Sequence, residues 1–229
     1  MNLFQIKKQK PMSVIVYLNG KFLKEEEALI SPRDRGYLFA DGVYEVAKYY
    51  NGKAFRFSDH ISRLKRSLSE LSIDFKKLDE LEGVFSSLIS RNKMEKKHAG
   101  IYVQISRGAT KRMHSFPKNT SPTIYAYAFE LPSFTDNLEN GINVITNEDI
   151  RWKRCDIKSV SLLPNTMLFN KAVETGAGEC VLIRGGMVTE ATHSSVLGMK
   201  NGTLITRPLS NLILPGITRK VILEICLEN

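Results

Sequence analysis

The chain has 229 residues, 42% hydrophobic and 25% charged, and its 33 Lys+Arg against 24 Asp+Glu give a formal net charge of +9. That length buries a core of one large or two small domains, and the composition excludes disorder, fibrous repeats and low-complexity sequence. The positive balance raises nucleic acid or an anionic substrate as a partner. The basic residues are scattered, however, with short runs only at Lys7-Lys8-Gln9-Lys10 and Lys93-Met94-Glu95-Lys96-Lys97 and no aromatic interleaving, which argues against nucleic acid.

Cys155, Cys180 and Cys226 are odd in number and lack metal-ligand spacing, so they read as reduced thiols with no metal site. No apolar run approaches a membrane span, and the first residues lack the apolar core of a signal peptide. A cytoplasmic protein with no membrane partner is the expectation. Met12 directly precedes an apolar run and is an alternative start, which makes residues 1–11 a tail.

In chain order, the β-rich run from Val14 to Leu18, the turn Asn19-Gly20 and Lys21-Phe22-Leu23 predict a hairpin. Gly42 to Tyr50, Asn51-Gly52 and Lys53 to Arg56 predict a second. Ser58 is placed to cap a helix with Ile61, Leu64, Leu68 and Leu71 on one face; Arg63 lies beside that stripe. A second amphipathic helix uses Leu78, Leu81, Phe85 and Leu88, and strands follow at 101–107 and 123–129 around the loop 108–119. The polar, Pro-bearing segment at Leu131-Pro132 to Asn137 reads as a linker. Beyond it the pattern predicts a strand near 142–146, a helix from about Pro164 to Thr175, strands near 180–183 and 195–199, a turn at Asn201-Gly202 and a last helix from Gly216. The expected division is a tail 1–11, a small α/β domain 12–131, a linker 132–137 and a larger cofactor-binding domain 138–229.

Three features converge on one chemistry. Lys158, in Arg154-Cys155-Asp156-Ile157-Lys158-Ser159, supplies an amine able to condense with an aldehyde, provided that burial or a cation such as Arg154 lowers its pKa. Glu190 is a carboxylate able to hold a ring nitrogen protonated, though an exposed strand-end glutamate is the plainer reading of its position. Gly216-Ile217-Thr218 opens a helix whose free N–H groups suit a phosphate, with Arg63 to complete the grip. Pyridoxal 5'-phosphate is the cofactor that needs all three. Arg112-Met113-His114 adds a carboxylate-binding pair, with a solvated basic loop as the equal alternative.

Asp34-Arg35-Gly36-Tyr37 to Asp41-Gly42-Val43-Tyr44-Glu45-Val46, Asp59 to Leu64, Asp149-Ile150-Arg151-Trp152 to Lys158, and Leu214 to Arg219 resemble the fold-type IV pyridoxal-phosphate enzymes, and within them the bacterial D-amino-acid aminotransferases. The resemblance covers almost everything from Tyr17 onward and implies a two-domain α/β (α+β) fold. It also implies a homodimer acting on amino and 2-oxo acids, as in transfer from D-alanine to 2-oxoglutarate. It makes Lys158 catalytic, gives the cofactor Arg63, Lys158, Glu190, Ile217 and Thr218, and puts Tyr44, Arg112 and His114 on the substrate carboxylate. The Arg-x-His pair separates this subgroup from branched-chain L-amino-acid aminotransferases and aminodeoxychorismate lyases, which are the rival activities. A truncated, non-catalytic cofactor-binding or basic interaction protein is the rival of another class, because the chain ends where the family continues into further strands. Thr192-His193 stands where the subgroup shows small serines, and Ala40 where it shows glycine.

Overall fold

The computed structural model describes residues 14–228. The tail 1–11 and the alternative start at Met12 lie outside the described residues. The first hairpin is β1 (Ile15–Leu18) and β2 (Lys21–Lys24), and the second is β3 (Gly42–Tyr50) and β4 (Lys53–Ala54). Each turns on an Asn-Gly pair with both residues at positive φ, Asn19-Gly20 and Asn51-Gly52, the geometry that matches the twist of antiparallel strands. Between the hairpins, α1 (Arg35–Phe39) starts on the Asp34 side chain, which accepts a hydrogen bond from the Gly36 N–H. It ends at Ala40 with φ 53°. This left-handed C-cap is where a glycine is preferred, so the alanine carries a strain of roughly 1 kcal/mol.

Strands β5 (His98–Ser106) and β6 (Thr123–Glu130) join the hairpins in a six-stranded antiparallel sheet ordered β2-β1-β6-β5-β3-β4. Strict alternation along β3 buries Val43, Glu45, Ala47 and Tyr49 on one face and leaves Tyr44, Val46 and Lys48 half-buried on the other. The buried face meets α2 (Phe57–Glu70) and α3 (Leu81–Arg91), with Leu64, Leu68, Phe85 and Leu88 packed against Ile101, Val103 and Ile105 of β5. Ser58 does not cap α2. The helix starts two residues earlier than a Ser58 cap implies, and its N-cap is Arg56 in a left-handed conformation without a side-chain cap.

The expected linker holds a short helix, α4 (Thr135–Asn140). A second sheet follows, with β7 (Val144–Glu148) parallel to β8 (Glu179–Arg184) and β8 antiparallel to β9 (Met187–Ala191). Parallel pairing requires a crossover, which α5 (Leu163–Glu174) supplies while burying Leu168 and Ala172 against Cys180 and Leu182. Strand β9 is not among the predicted strands, although a strand end was the plainer reading of Glu190, and Gly185-Gly186, both at positive φ, turn the chain from β8 into it. A separate hairpin, β10 (Leu197–Lys200) and β11 (Thr203–Thr206), turns at Asn201-Gly202, and α6 (Ile217–Glu228) begins one residue after Gly216.

The loop from β7 to α5 carries Lys158 and lies along the free edge of β3. Tyr44 N–H donates to the Lys158 carbonyl at 3.0 Å, Val160 N–H donates to the Gly42 carbonyl at 3.0 Å, and Val43 and Ser159 form an antiparallel bridge. The Lys158 N–H donates to Ser67 Oγ of α2 at 3.2 Å. The lysine backbone is thereby tied to both the large sheet and its helix.

Leu64 is fully buried between α2 and the sheet, so Leu64→Ala is expected to lower unfolding stability by about 2–5 kcal/mol in a denaturant titration. Lys76→Ala, at an exposed ion pair with Asp74, should change it by less than about 0.5 kcal/mol.

Candidate active site

A cleft of about 710 Å³ opens between the large sheet with α2 and the elements that follow β7, and Lys158, Arg63, Glu190, Gly216, Ile217 and Thr218 all line it. Lys158 is half-buried, with its remaining exposure toward this cleft. Its Nζ lies 4.2 Å from the centroid of the Tyr44 ring, within cation–π range. Burial, reinforced by the positive charge of Arg63 and opposed by Glu45 and Glu190, brings the Lys158 amine from 10.5 down to about 8. Arg63 is therefore the cation that acts on the amine. Arg154, the candidate from sequence, points elsewhere and spends its guanidinium on Asp156 at 3.0 Å and Glu70 at 2.5 Å.

Arg63 is held by a carboxylate that sequence reasoning missed. Its Nε donates to Glu45 Oε1 at 2.7 Å, its Nη2 to Glu45 Oε2 at 2.9 Å, and its Nη1 to the Pro215 carbonyl at 2.9 Å. His60 Nδ1 is 2.8 Å from Glu45 Oε2. Burial works to raise the Glu45 carboxyl, but the Arg63 and His60 hydrogen bonds outweigh it and hold the group at about 2. Because Nη1 and Nη2 each carry a second N–H, the guanidinium keeps donors beyond these bonds.

At the opposite side Glu190 is a buried carboxylate, contrary to the exposed strand-end alternative. Arg151 Nη1 donates to its Oε1, and Leu214 N–H to its Oε2 at 3.0 Å. Arg151 is in turn fixed by Asp149, with Nε to Oδ1 and Nη2 to Oδ2 both at 2.9 Å, and Thr189 Oγ1 donates to the same carboxylate at 2.9 Å. Burial pushes the Glu190 carboxyl up while Arg151 pulls it down. A second cationic group placed against Glu190, such as a protonated ring nitrogen, would relieve that burial cost. Asp149 and Arg151 were visible only as part of a resembling stretch; the partner that defines their role, Glu190, lies 39 residues from Arg151.

The helix start completes the cleft. The first N–H groups of α6 have no carbonyl one turn earlier, and Thr218 adds a hydroxyl. Gly216 leaves space beside the helix start: a Cβ there would stand 2.6 Å from Ser195 Oγ, and the serine side chain would have to turn to admit it. The outcome is a polar cradle beside Arg63, suited to a phosphate.

Tyr44 lines the cleft, but Arg112 and His114 do not. Both are exposed on the β5–β6 loop and lie against Phe39, with the Arg112 guanidinium 5.2 Å and the His114 ring 5.5 Å from its centroid. Buried Arg35 and Arg107 secure that loop: Arg35 Nη1 donates to the Met113 carbonyl at 2.6 Å, Arg107 stacks on Phe116 at 3.6 Å, and both pair with Asp41. Within one chain the structure therefore separates this pair from Lys158.

A lowered-pKa lysine facing a carboxylate across a phosphate-ready cleft defines an enzyme of amine and carbonyl chemistry. The chain belongs to the Amino-transferase class IV family, whose sequence pattern matches residues 42–229, and it is an aminotransferase of fold type IV. It is 46% identical over 209 residues to the D-alanine aminotransferase of Staphylococcus haemolyticus, covering 90% of this chain and 73% of that one. It is 41% identical over 215 residues to the D-alanine aminotransferase of Bacillus licheniformis, covering 93% and 75%. Among solved structures, the branched-chain amino acid aminotransferase of Escherichia coli superposes with a TM-score of 0.86 at 22% identity, covering 94% of this chain and 75% of that one. The PLP-bound form of a hypothetical aminotransferase from Mycobacterium tuberculosis superposes with a TM-score of 0.81 at 20% identity, covering 93% and 78%. Among the described residues no helix is long and apolar enough to cross a membrane.

The depressed amine predicts a pH signature. Lys158 is lowered in the fold, so its burial penalty is full below pH 8 and is relieved as pH rises from about 8 toward 10.5, where the unfolded chain still holds the proton. In ligand-free protein, wild type should gain as much as ~3 kcal/mol over Lys158→Met across that window in urea titrations. A flat difference would mean that the amine is not desolvated.

Proposed function

We propose that the chain transfers an amino group between a D-amino acid such as D-alanine and a 2-oxo acid such as 2-oxoglutarate, using pyridoxal 5'-phosphate. The observation that carries this reading is the Lys158 amine, lowered to about 8 in a cleft that also holds Glu190 and the α6 start. The residues fit the cofactor: the space kept open by Gly216 and the free donors of α6 suit its phosphate, and Glu190 suits its ring nitrogen. When bound, the cofactor supplies an electrophilic aldehyde carbon and an electron sink for the bond broken at the substrate Cα.

The chain's own residues do the rest. At pH 7 roughly a tenth of an amine with a pKa near 8 is neutral, against about one in three thousand for an ordinary lysine, so Lys158 Nζ serves both as nucleophile and as base for the Cα proton. Arg151 orients Glu190 and opposes the burial that raises its carboxyl. Arg63, Ile217 and Thr218 hold the phosphate by charge, backbone N–H and hydroxyl. Burial raises the Tyr44 hydroxyl, which keeps it a proton donor for a substrate carboxylate.

Arg112 and His114 bind the substrate carboxylate in this reading, although they lie outside their own chain's cleft. The protein therefore acts as a homodimer in which each β5–β6 loop reaches the partner's site. The D-alanine aminotransferase activity of relatives 46% and 41% identical supports the stereochemical choice.

Full-length protein with the cofactor should transfer the amino group of D-alanine to 2-oxoglutarate much faster than that of L-leucine, and Lys158→Ala should lower the rate at least about a hundredfold. Turnover of L-leucine alone would refute the assignment of Arg112 and His114. Mixing Lys158→Ala with Arg112→Ala chains, unfolded and reassembled together, should restore roughly a quarter of wild-type activity, because half the dimers are mixed and each has one intact site. No recovery would place Arg112 in its own chain's chemistry.

A further inference from the structure

The cleft has a polar wall that neither the cofactor fit nor the catalytic steps use. Thr192, His193 and Ser194 line it, and behind them stands Glu179, at the start of β8 and buried to 5% exposure. Both carboxylate oxygens are occupied. Oε1 accepts from Cys180 N–H at 2.8 Å, Thr192 N–H at 3.2 Å and the Thr192 hydroxyl; Oε2 accepts from Ser194 Oγ at 3.1 Å and lies 2.8 Å from His193 Nδ1. The His193 hydrogen bond and the backbone and hydroxyl donors overcome burial and hold the Glu179 carboxyl at about 2. One buried anion therefore fixes the whole 192–194 segment.

That segment presents His193 to the cleft. The ring packs edge-on against Phe169 of α5, 4.9 Å between centroids, and remains largely exposed on the cleft side. Asn165, also from α5 and also lining the cleft, donates to the Thr192 carbonyl at 2.6 Å and sets the segment against the helix. With Nδ1 committed to Glu179, Nε2 is the ring nitrogen left for a ligand, and in the doubly protonated ring it is an N–H donor.

Three anionic groups enter this cleft in the reading above: the cofactor phosphate, the substrate α-carboxylate met by Tyr44, Arg112 and His114, and the second carboxylate of a dicarboxylic oxo acid such as 2-oxoglutarate, which none of those residues meets. Ser195 lies against Gly216 at the α6 cradle, whereas the named contacts of the His193 ring are Phe169 of α5 and Glu179 of β8. We propose that His193 is a specificity-determining residue whose Nε2 binds the side-chain carboxylate of a dicarboxylic substrate, with Glu179 as the positioning residue that aims the ring. This rests on the transaminase reading for its substrate class. A small serine at position 193 could not reach so far or carry charge, so the preference belongs to this chain's own sequence.

Two measurements on the full-length protein test it. The ratio of kcat/KM for 2-oxoglutarate to that for pyruvate should fall about tenfold in His193→Ala, as expected for loss of one charge-assisted hydrogen bond. It should recover at least in part in His193→Lys, which restores a cation, and an unchanged ratio in His193→Ala overturns the proposal. The second readout needs no turnover. In protein labelled at the histidine Cε1, with the His193 signal assigned by its loss in His193→Ala, glutarate should move that signal toward the protonated position, whereas propionate and inorganic phosphate should not. A glutarate response no larger than that of propionate overturns the proposal, and a response to phosphate alone reassigns His193 to the cofactor's phosphate and also overturns it. Absence of turnover with either oxo acid refutes the transaminase reading, while the glutarate titration still decides His193.

Discussion

The buried ion pair between Glu45 of β3 and Arg63 of α2 is the constraint on which the site depends. Two charges taken from water at this depth persist only because the guanidinium meets the carboxylate through two hydrogen bonds and spends a third on the Pro215 carbonyl, just ahead of α6. One side chain thereby joins β3 and α2 to a segment 152 residues further along the chain. The same guanidinium helps depress the Lys158 amine, so the pair that orders the cleft also tunes its nucleophile.

The layout repeats on the other side. Asp149 holds Arg151, Arg151 holds Glu190, and Glu179 holds the segment 192–194. In each case the group that faces the cleft is backed by an opposite charge one layer deeper, which lowers the cost of keeping it buried and restricts its geometry. The ion pairs on the rim, Lys220 with Asp59 and Arg56 with Glu224, link α6 to the start of α2 but are partly exposed and contribute little by themselves. Holding the cleft together falls instead to the Arg63 bond and to the pairing of the Lys158 segment with the edge of β3.

Much of this was legible in the sequence wherever the signal is local. The three Asn-Gly turns, the alternation along β3 and the leucine stripe of α2 each encode an element within a few residues, and Lys158, Glu190 and Gly216 stood out by chemistry and spacing. Long-range partners were not legible. Glu45 looked like one more polar residue in an alternating strand until its buried face met Arg63, and Arg154 was preferred over Arg63 as the cation because it is nearer in sequence. Helix α1 and strand β9 were missed because a five-residue element has too few turns to show a period and because β9 passes from two exposed residues to three buried ones without the alternation that marks a half-buried strand. The positions of Arg112 and His114 follow from how Arg35 and Arg107 brace their loop, which no motif states.

The central claim is that the Lys158 amine is the one that engages the cofactor. Borohydride reduction of the folded, pyridoxal-phosphate-loaded protein, followed by peptide mass spectrometry, tests it most directly. The geometry predicts a pyridoxyl-phosphate label on Lys158 in stoichiometric yield. A label on another lysine, or none on folded and loaded protein, would contradict it.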